Sequence, residues 1–251
     1  MGDNEIKDIP TEENKTIEGQ IVIGEEKSIS VSHKDSALKR LDTSFNKHIE
    51  LQEYKKSDLL AYWIEDFANY HDEEKTFDTT SLKVFKRGDI VKVNLGFNVG
   101  NELGGLHYCV VINKYDNPYS GTLNVIPLSS IKEYKIYNPK TCIDLGDELF
   151  LLLSQKYSKE SDKVDIALES LTNEDKRNVD KIKYLLKKLD YLQKIAEEIK
   201  RMKHGSIAYI HQITTISKQR IFKTPILSGI KLSNESLDLI DEKIKKLFTK
   251  I

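Results

Sequence analysis

Gly100 to Asn113 reads GNELGGLHYCVVIN. A carboxylate, two adjacent glycines and an imidazole stand immediately before an apolar, β-branched run with the texture of a buried strand. Gly104 and Gly105 let the backbone of a loop come close to a ligand, and Glu102 and His107 stand at its two ends. A carboxyl and an imidazole are side chains that pass protons near neutral pH, so the pair can work as acid and base. A later strand closes as VIPLSS. If it pairs antiparallel with the strand of His107, Ser129 and Ser130 come to the same rim, where a hydroxyl can hold a phosphate oxygen. Plainer uses exist for each residue. Glu102 can cap loop amides, and a histidine that begins a strand can be an edge residue.

The elements that must position these residues follow from periodicity. From Lys86 the chain runs in short β-branched stretches broken by Gly, Asn and Pro, namely DIVKVNL, HYCVVIN, TLNVIPL, TCIDL and ELFLLL. They predict consecutive strands of a small sheet. Asp116, Asn117, Pro118, Ser120 and Gly121 supply a turn between the second and third. Apolar residues spaced three and four apart predict two helices within Ser36 to Tyr70, and a long helix with a stripe from Ile182 to Met202. Thr172 with Asp175 offers that helix a cap, and Gly205 a stop. A shorter helix around Val164 to Leu171 pairs with it. SIAYIHQITTI resumes strand alternation, and Ser233 or Asn234 caps a last amphipathic helix. The expected organisation is an acidic flexible tail over 1–33, a helical extension over 34–80, a β-domain over 81–153 and 204–251, and a helical insertion over 154–203.

The 251 residues are 39% hydrophobic, enough for a packed core. No basic region followed by an apolar stretch opens the chain, and no apolar run spans a bilayer, so a cytoplasmic protein without membrane segments is expected. Cys109 and Cys142 both lie in strand-like segments and read as reduced core thiols. No cluster of His, Cys, Asp or Glu has metal-ligand spacing, so neither a metal nor another cofactor is expected. The net charge of −1 hides an asymmetry: residues 1–80 hold 10 Lys+Arg against 19 Asp+Glu, and the rest 29 against 21. From Lys200 to Lys231, seven basic residues occur with no acidic one. That run is a candidate anion-binding surface, or else a set of solvated charges.

The order RGDIVKVNLG, GNELGGLHYCVVI, TLNVIPLSS, SIAYIHQITTISKQRI and a last amphipathic helix resembles the MazF/PemK toxins, endoribonucleases of bacterial toxin–antitoxin systems. The resemblance covers Lys86 to Leu153 and His204 to Ile251. It implies an α+β protein built on an SH3-like barrel with a C-terminal helix. It also implies a homodimer, an antitoxin partner, and metal-independent cleavage of single-stranded RNA by 2′-hydroxyl attack, leaving a 2′,3′-cyclic phosphate and a 5′-hydroxyl. Glu102, His107 and Ser129 are then the catalytic candidates. Arg87, Gly104, Gly105, Ser130, Gln212 and Arg220 are the candidates for contact with RNA.

The family pattern has an Arg-Pro pair where this chain has His107 and Tyr108, and Thr where it has Ser129. Serine keeps the hydroxyl. Histidine in place of arginine gives up a permanent cation and gains the ability to move protons, so His107 is read as an acid/base group, with Arg87 or Arg220 supplying fixed charge to the phosphorane. Tyr108 and Tyr119 can stack on bases or pack in the core. The rival readings are a non-catalytic RNA- or protein-binding barrel and an interaction protein working through its long helix.

Overall fold

The computed structural model describes residues 12–172, 178–202 and 205–250. Contacts divide the chain into two compact units, Met1–Tyr62 and Trp63–Ile251.

The first unit holds α1 (Glu12–Glu50) and the start of α2 (Tyr54–Glu73), which continues into the second. Between them Gln52 takes a left-handed conformation, φ 57°, and the Glu53 amide donates to the His48 carbonyl at 2.8 Å. The two helices expected within Ser36 to Tyr70 are therefore present. Residues 12–33, expected as a structureless tail, lie instead within α1. They lack aromatics, but they also lack proline and include five glutamates, whose helix propensity is high. The remainder of that tail, 1–11, lies outside the described residues.

In the second unit, six strands among the described residues build an antiparallel sheet: β1 (Ile90–Asn94), β2 (Leu106–Val111), β3 (Thr122–Ser130), β4 (Cys142–Asp144), β5 (Ser206–Tyr209) and β6 (Thr214–Ser217). Their order is β1-β2-β3-β5-β4, with β6 also on β3. β3 serves three partners. Thr122–Val125 pair with β6, Val125–Pro127 with β2, and Leu128–Ser130 with β5. Pro127, which has no N–H to give, falls where the strand changes partner.

The ladders do not close into a ring. β1 and β4 stand at the two ends of an open antiparallel sheet in an α+β fold. After β6 the chain winds into a 3-10 turn at Lys218–Arg220. That leaves only a single-residue bridge, Val93 to Ile221, between β1 and this segment.

Period-two alternation sorts the strands' residues onto two faces. Ile90, Val110, Ile126 and Leu128 join a core with helices α3 (Glu148–Glu169), α4 (Val179–Arg201) and α5 (Asn234–Phe248). Val91, Val93, Cys109, Val111 and Val125 join a second core with Phe85, Ile216 and Ile221. Both cysteines are buried free thiols.

ELFLLL, expected as a strand, forms the first turns of α3. A short apolar run fits either element; here Leu149 and Leu153, four apart, are both buried and Asp147 precedes the first turn. The helical segment therefore begins before 154. On α4, Leu185, Leu192 and Ile195 are buried, and Ile199 and Met202 pack against the first core. Asn178 caps that helix, its side chain accepting from the amides of Asp180 and Lys181 at 3.1 Å. The expected cap partner Asp175 lies outside the described residues. Ser233 caps α5, accepting from the Ser236 amide at 3.2 Å. Glu148 of α3 accepts from both the Ser233 amide and the Ser236 hydroxyl.

Candidate active site

The glycine-rich loop between β1 and β2 is closed by its own backbone: the Leu95 amide donates to the Gly105 carbonyl at 2.8 Å, and the Gly105 amide to the Gly96 carbonyl at 2.6 Å. Gly105 holds φ +82°, and a Cβ added to Gly104 would lie 2.7 Å from the Gly96 carbonyl oxygen. Both positions therefore require glycine, one for conformation and one for space. Gln212 clamps the loop. Its Oε1 accepts from the Leu103 amide at 2.8 Å and its Nε2 donates to the Asn101 carbonyl at 3.1 Å. Gly104→Ala is expected to open this loop at a cost of roughly 1–3 kcal/mol, read as a lower midpoint in urea unfolding.

Six of the candidates fall into two cavities. A cavity of about 360 Å³ is lined by Glu102, Gln212 and Arg220 with Asn98 and Thr214. Arg220 is half-buried there; its Nε donates to the Asn94 carbonyl at 2.8 Å, and its guanidinium lies 5.3 Å from the Trp63 ring. Burial pulls that guanidinium below its ordinary range. Among the described residues no carboxylate pairs with it.

A separate cleft of about 320 Å³ gathers His107, Ser129 and Ser130 with Lys92, Tyr108, Glu198, Arg201 and Ser206. The antiparallel pairing of β2 with β3 brings the first three together, while Glu102, five residues from His107, belongs to the other cavity. The last paired residues of the β2–β3 ladder are Cys109 and Pro127. Beyond them, the His107 side chain spans the strands, its Nδ1 donating to the Leu128 carbonyl at 2.8 Å. A carbonyl only accepts, so Nδ1 carries the proton and Nε2 is the atom left for exchange.

Glu198, in the last turn of α4, also lines this cleft. Its Oε1 accepts from both Lys92 Nζ and Tyr108 Oη. Burial works to raise this carboxyl, but the bonds from Lys92 and Tyr108 outweigh it and hold the group below its ordinary value of 4.5. Burial also pushes the Tyr108 phenol up, and Glu198 adds to the shift. A carboxyl with a lowered folded value contributes stability above its unfolded value and loses it as pH falls through the folded one. Glu198→Gln should therefore remove part of the acid-side loss of stability, read by urea midpoints at neutral and mildly acid pH.

Two expectations about charge are corrected. Arg87 lines neither cavity: it donates to the Ile112 carbonyl at 2.5 Å and pairs with Asp241 of α5. Lys218, part of the acid-free basic run, is buried in an ion pair with Asp116 at 2.7 Å and presents no charge to an anion. Arg201, also part of the acid-free basic run, does line the cleft, whereas Lys92 and Glu198 are not marked for chemistry by the sequence. Glu198 was detectable in principle as an acid three residues after Ile195, on the buried stripe of α4. Lys92 is the one charge inside the strand IVKVN. Among the described residues no group of three or more His, Cys, Asp and Glu stands together as a metal would need.

Residues 86–201 match the family model described as PemK-like, MazF-like toxin of type II toxin-antitoxin system. The matched segment takes in β1 to β4 and runs through α3 and α4. No curated protein matches the sequence.

Proposed function

Because residues 86–201 match the PemK-like, MazF-like toxin family model, we propose that the chain is an endoribonuclease acting on single-stranded RNA. The family implies an RNA substrate and an antitoxin partner. The observation that carries the reading is the shared cleft of His107, Ser129 and Ser130, with the cations Lys92 and Arg201 at its walls. Those groups suit a phosphodiester: the two hydroxyls donate to non-bridging oxygens, the cations offset charge on the phosphorane, and the imidazole moves a proton. In this reading the 2′-hydroxyl attacks the adjacent phosphorus, the 5′-oxygen leaves, and the products are a 2′,3′-cyclic phosphate and a 5′-hydroxyl. The neighbouring cavity, with Glu102, Gln212 and Arg220, which has no carboxylate partner among the described residues, then receives the flanking nucleotide.

The same reading takes the open sheet as the family's SH3-like barrel; β3's three partners and the bridge from Val93 to Ile221 support it. It makes the working form a homodimer and places it in the cytoplasm, where buried thiols stay reduced. Among the described residues no helix is long and apolar enough to cross a membrane.

The test is to incubate the purified chain with a long single-stranded RNA in EDTA and to map the new ends. Cleavage is expected to survive chelation and to leave 5′-hydroxyl termini, since the cleft offers proton-transfer groups and fixed cations of its own. A requirement for magnesium would overturn the mechanism. Retention of RNA without cutting would favour a binding barrel instead.

A further inference from the structure

A 2′-hydroxyl attack needs two proton transfers, one from the nucleophile and one to the leaving oxygen, and the cleft holds one imidazole. Glu102, the carboxylate nearest in sequence, is exposed and lines the other cavity. Glu198 lines the cleft itself and is 7% exposed. Its geometry is asymmetric. Lys92 and Tyr108 both donate to Oε1, and Oε2 makes no hydrogen bond among the described residues. The two donors thus fix the carboxylate's orientation and leave one oxygen to accept.

We propose that Glu198 is the general base of the cleft and His107 its general acid. This rests on the ribonuclease reading. Oε2 of Glu198 takes the proton of the 2′-hydroxyl as the 2′-oxygen bonds to phosphorus. Nε2 of a protonated His107 gives its proton to the 5′-oxygen as the phosphorus–oxygen bond breaks. The carboxyl ends protonated and the imidazole neutral, and solvent restores both. Lys92 and Tyr108 are positioning residues that act through Glu198, and Lys92 adds fixed charge beside the phosphate. The base therefore comes from α4, not from the glycine-rich loop.

The hydrogen bonds from Lys92 and Tyr108 keep Glu198 ionised at neutral pH, as a base must be before it accepts. A purely structural Glu198, pinning α4 to β1 and β2, would need the same two bonds. The roles separate on the leaving group. A thiolate departs without being protonated, so a sulfur at the bridging 5′ position makes the acid dispensable and leaves the base as necessary as before.

The cleavage site found in the long RNA is placed in a short oligonucleotide, made once with the ordinary 5′-oxygen and once with 5′-sulfur. On the oxygen substrate, Glu198→Gln and His107→Ala are each expected to be slower than wild type by about 100-fold or more. On the sulfur substrate His107→Ala should return to within about tenfold of wild type, while Glu198→Gln stays slow. Glu198→Asp keeps the charge for Lys92 on a shorter arm. It should melt near wild type and remain slow on both substrates, which keeps the test open if Glu198→Gln unfolds. Glu198→Gln cutting at the wild-type rate, or sulfur restoring Glu198→Gln and not His107→Ala, would overturn the assignment while the ribonuclease stands. A wild-type chain that cuts no RNA would instead remove the ribonuclease reading itself.

Discussion

Lys218→Met is expected to destabilise the protein by about 3–5 kcal/mol, because it strands a buried carboxylate. The Lys218 side chain is 1% exposed, as is that of Asp116, and their charged atoms lie 2.7 Å apart. The ammonium also donates to the Asn117 carbonyl at 3.1 Å and sits 6.0 Å from the Phe85 ring. The other oxygen of Asp116 accepts from the Phe85 amide at 2.9 Å. The pair thus ties the turn after β2 to the segment after β6 and to the chain entering β1. Removing one partner leaves the other charge desolvated and alone, which costs far more than the pair contributes when intact. Pairing Lys218→Met with Asp116→Leu should therefore recover much of the loss. Guanidinium unfolding of the two single variants and the double variant measures it. A single variant within about 1 kcal/mol of wild type would mean that water reaches the pair.

The strands were legible because their period was unambiguous. IVKVN, LHYCVV and TLNVIPLSS alternate between two cores, and the pairing of the last two carries His107 to Ser129 and Ser130 as their order requires. ELFLLL was not legible, since five apolar residues after an acid satisfy either period, and the burial of Leu149 with Leu153 settles it only in three dimensions. The candidate site was half legible. Glu102 and His107 are neighbours in the chain, but the turn at Gly104 and Gly105 sends their side chains to different cavities. Lys92 and Glu198 are far apart in the chain, and only packing of α4 makes them partners. Charge was the least legible property. Whether a lysine such as Lys218 faces water or an aspartate is decided by a distant turn, not by its neighbours in sequence.

His107→Ala should slow RNA cleavage by about 10²–10⁴-fold, the range over which a positioned proton donor acts. The fold should survive, because His107 is only half-buried and its bond to the Leu128 carbonyl is worth about 1 kcal/mol. That comparison alone does not say whether the position supplies a proton or a charge, since the family pattern has arginine there and removing either would slow the reaction. His107→Arg separates the two. A guanidinium can donate to the Leu128 carbonyl and carry a permanent charge into the cleft, but it holds its proton too tightly to release it to a leaving oxygen. If this chain has moved its acid onto the imidazole, His107→Arg remains nearly as slow as His107→Ala on ordinary RNA and recovers with the 5′-sulfur substrate. If the position only offsets charge, His107→Arg matches or exceeds wild type on both substrates, and Lys92 beside Glu198 becomes the group to examine. The measurement is the single-turnover rate of the three proteins on the two substrates, with melting curves to confirm that each is folded.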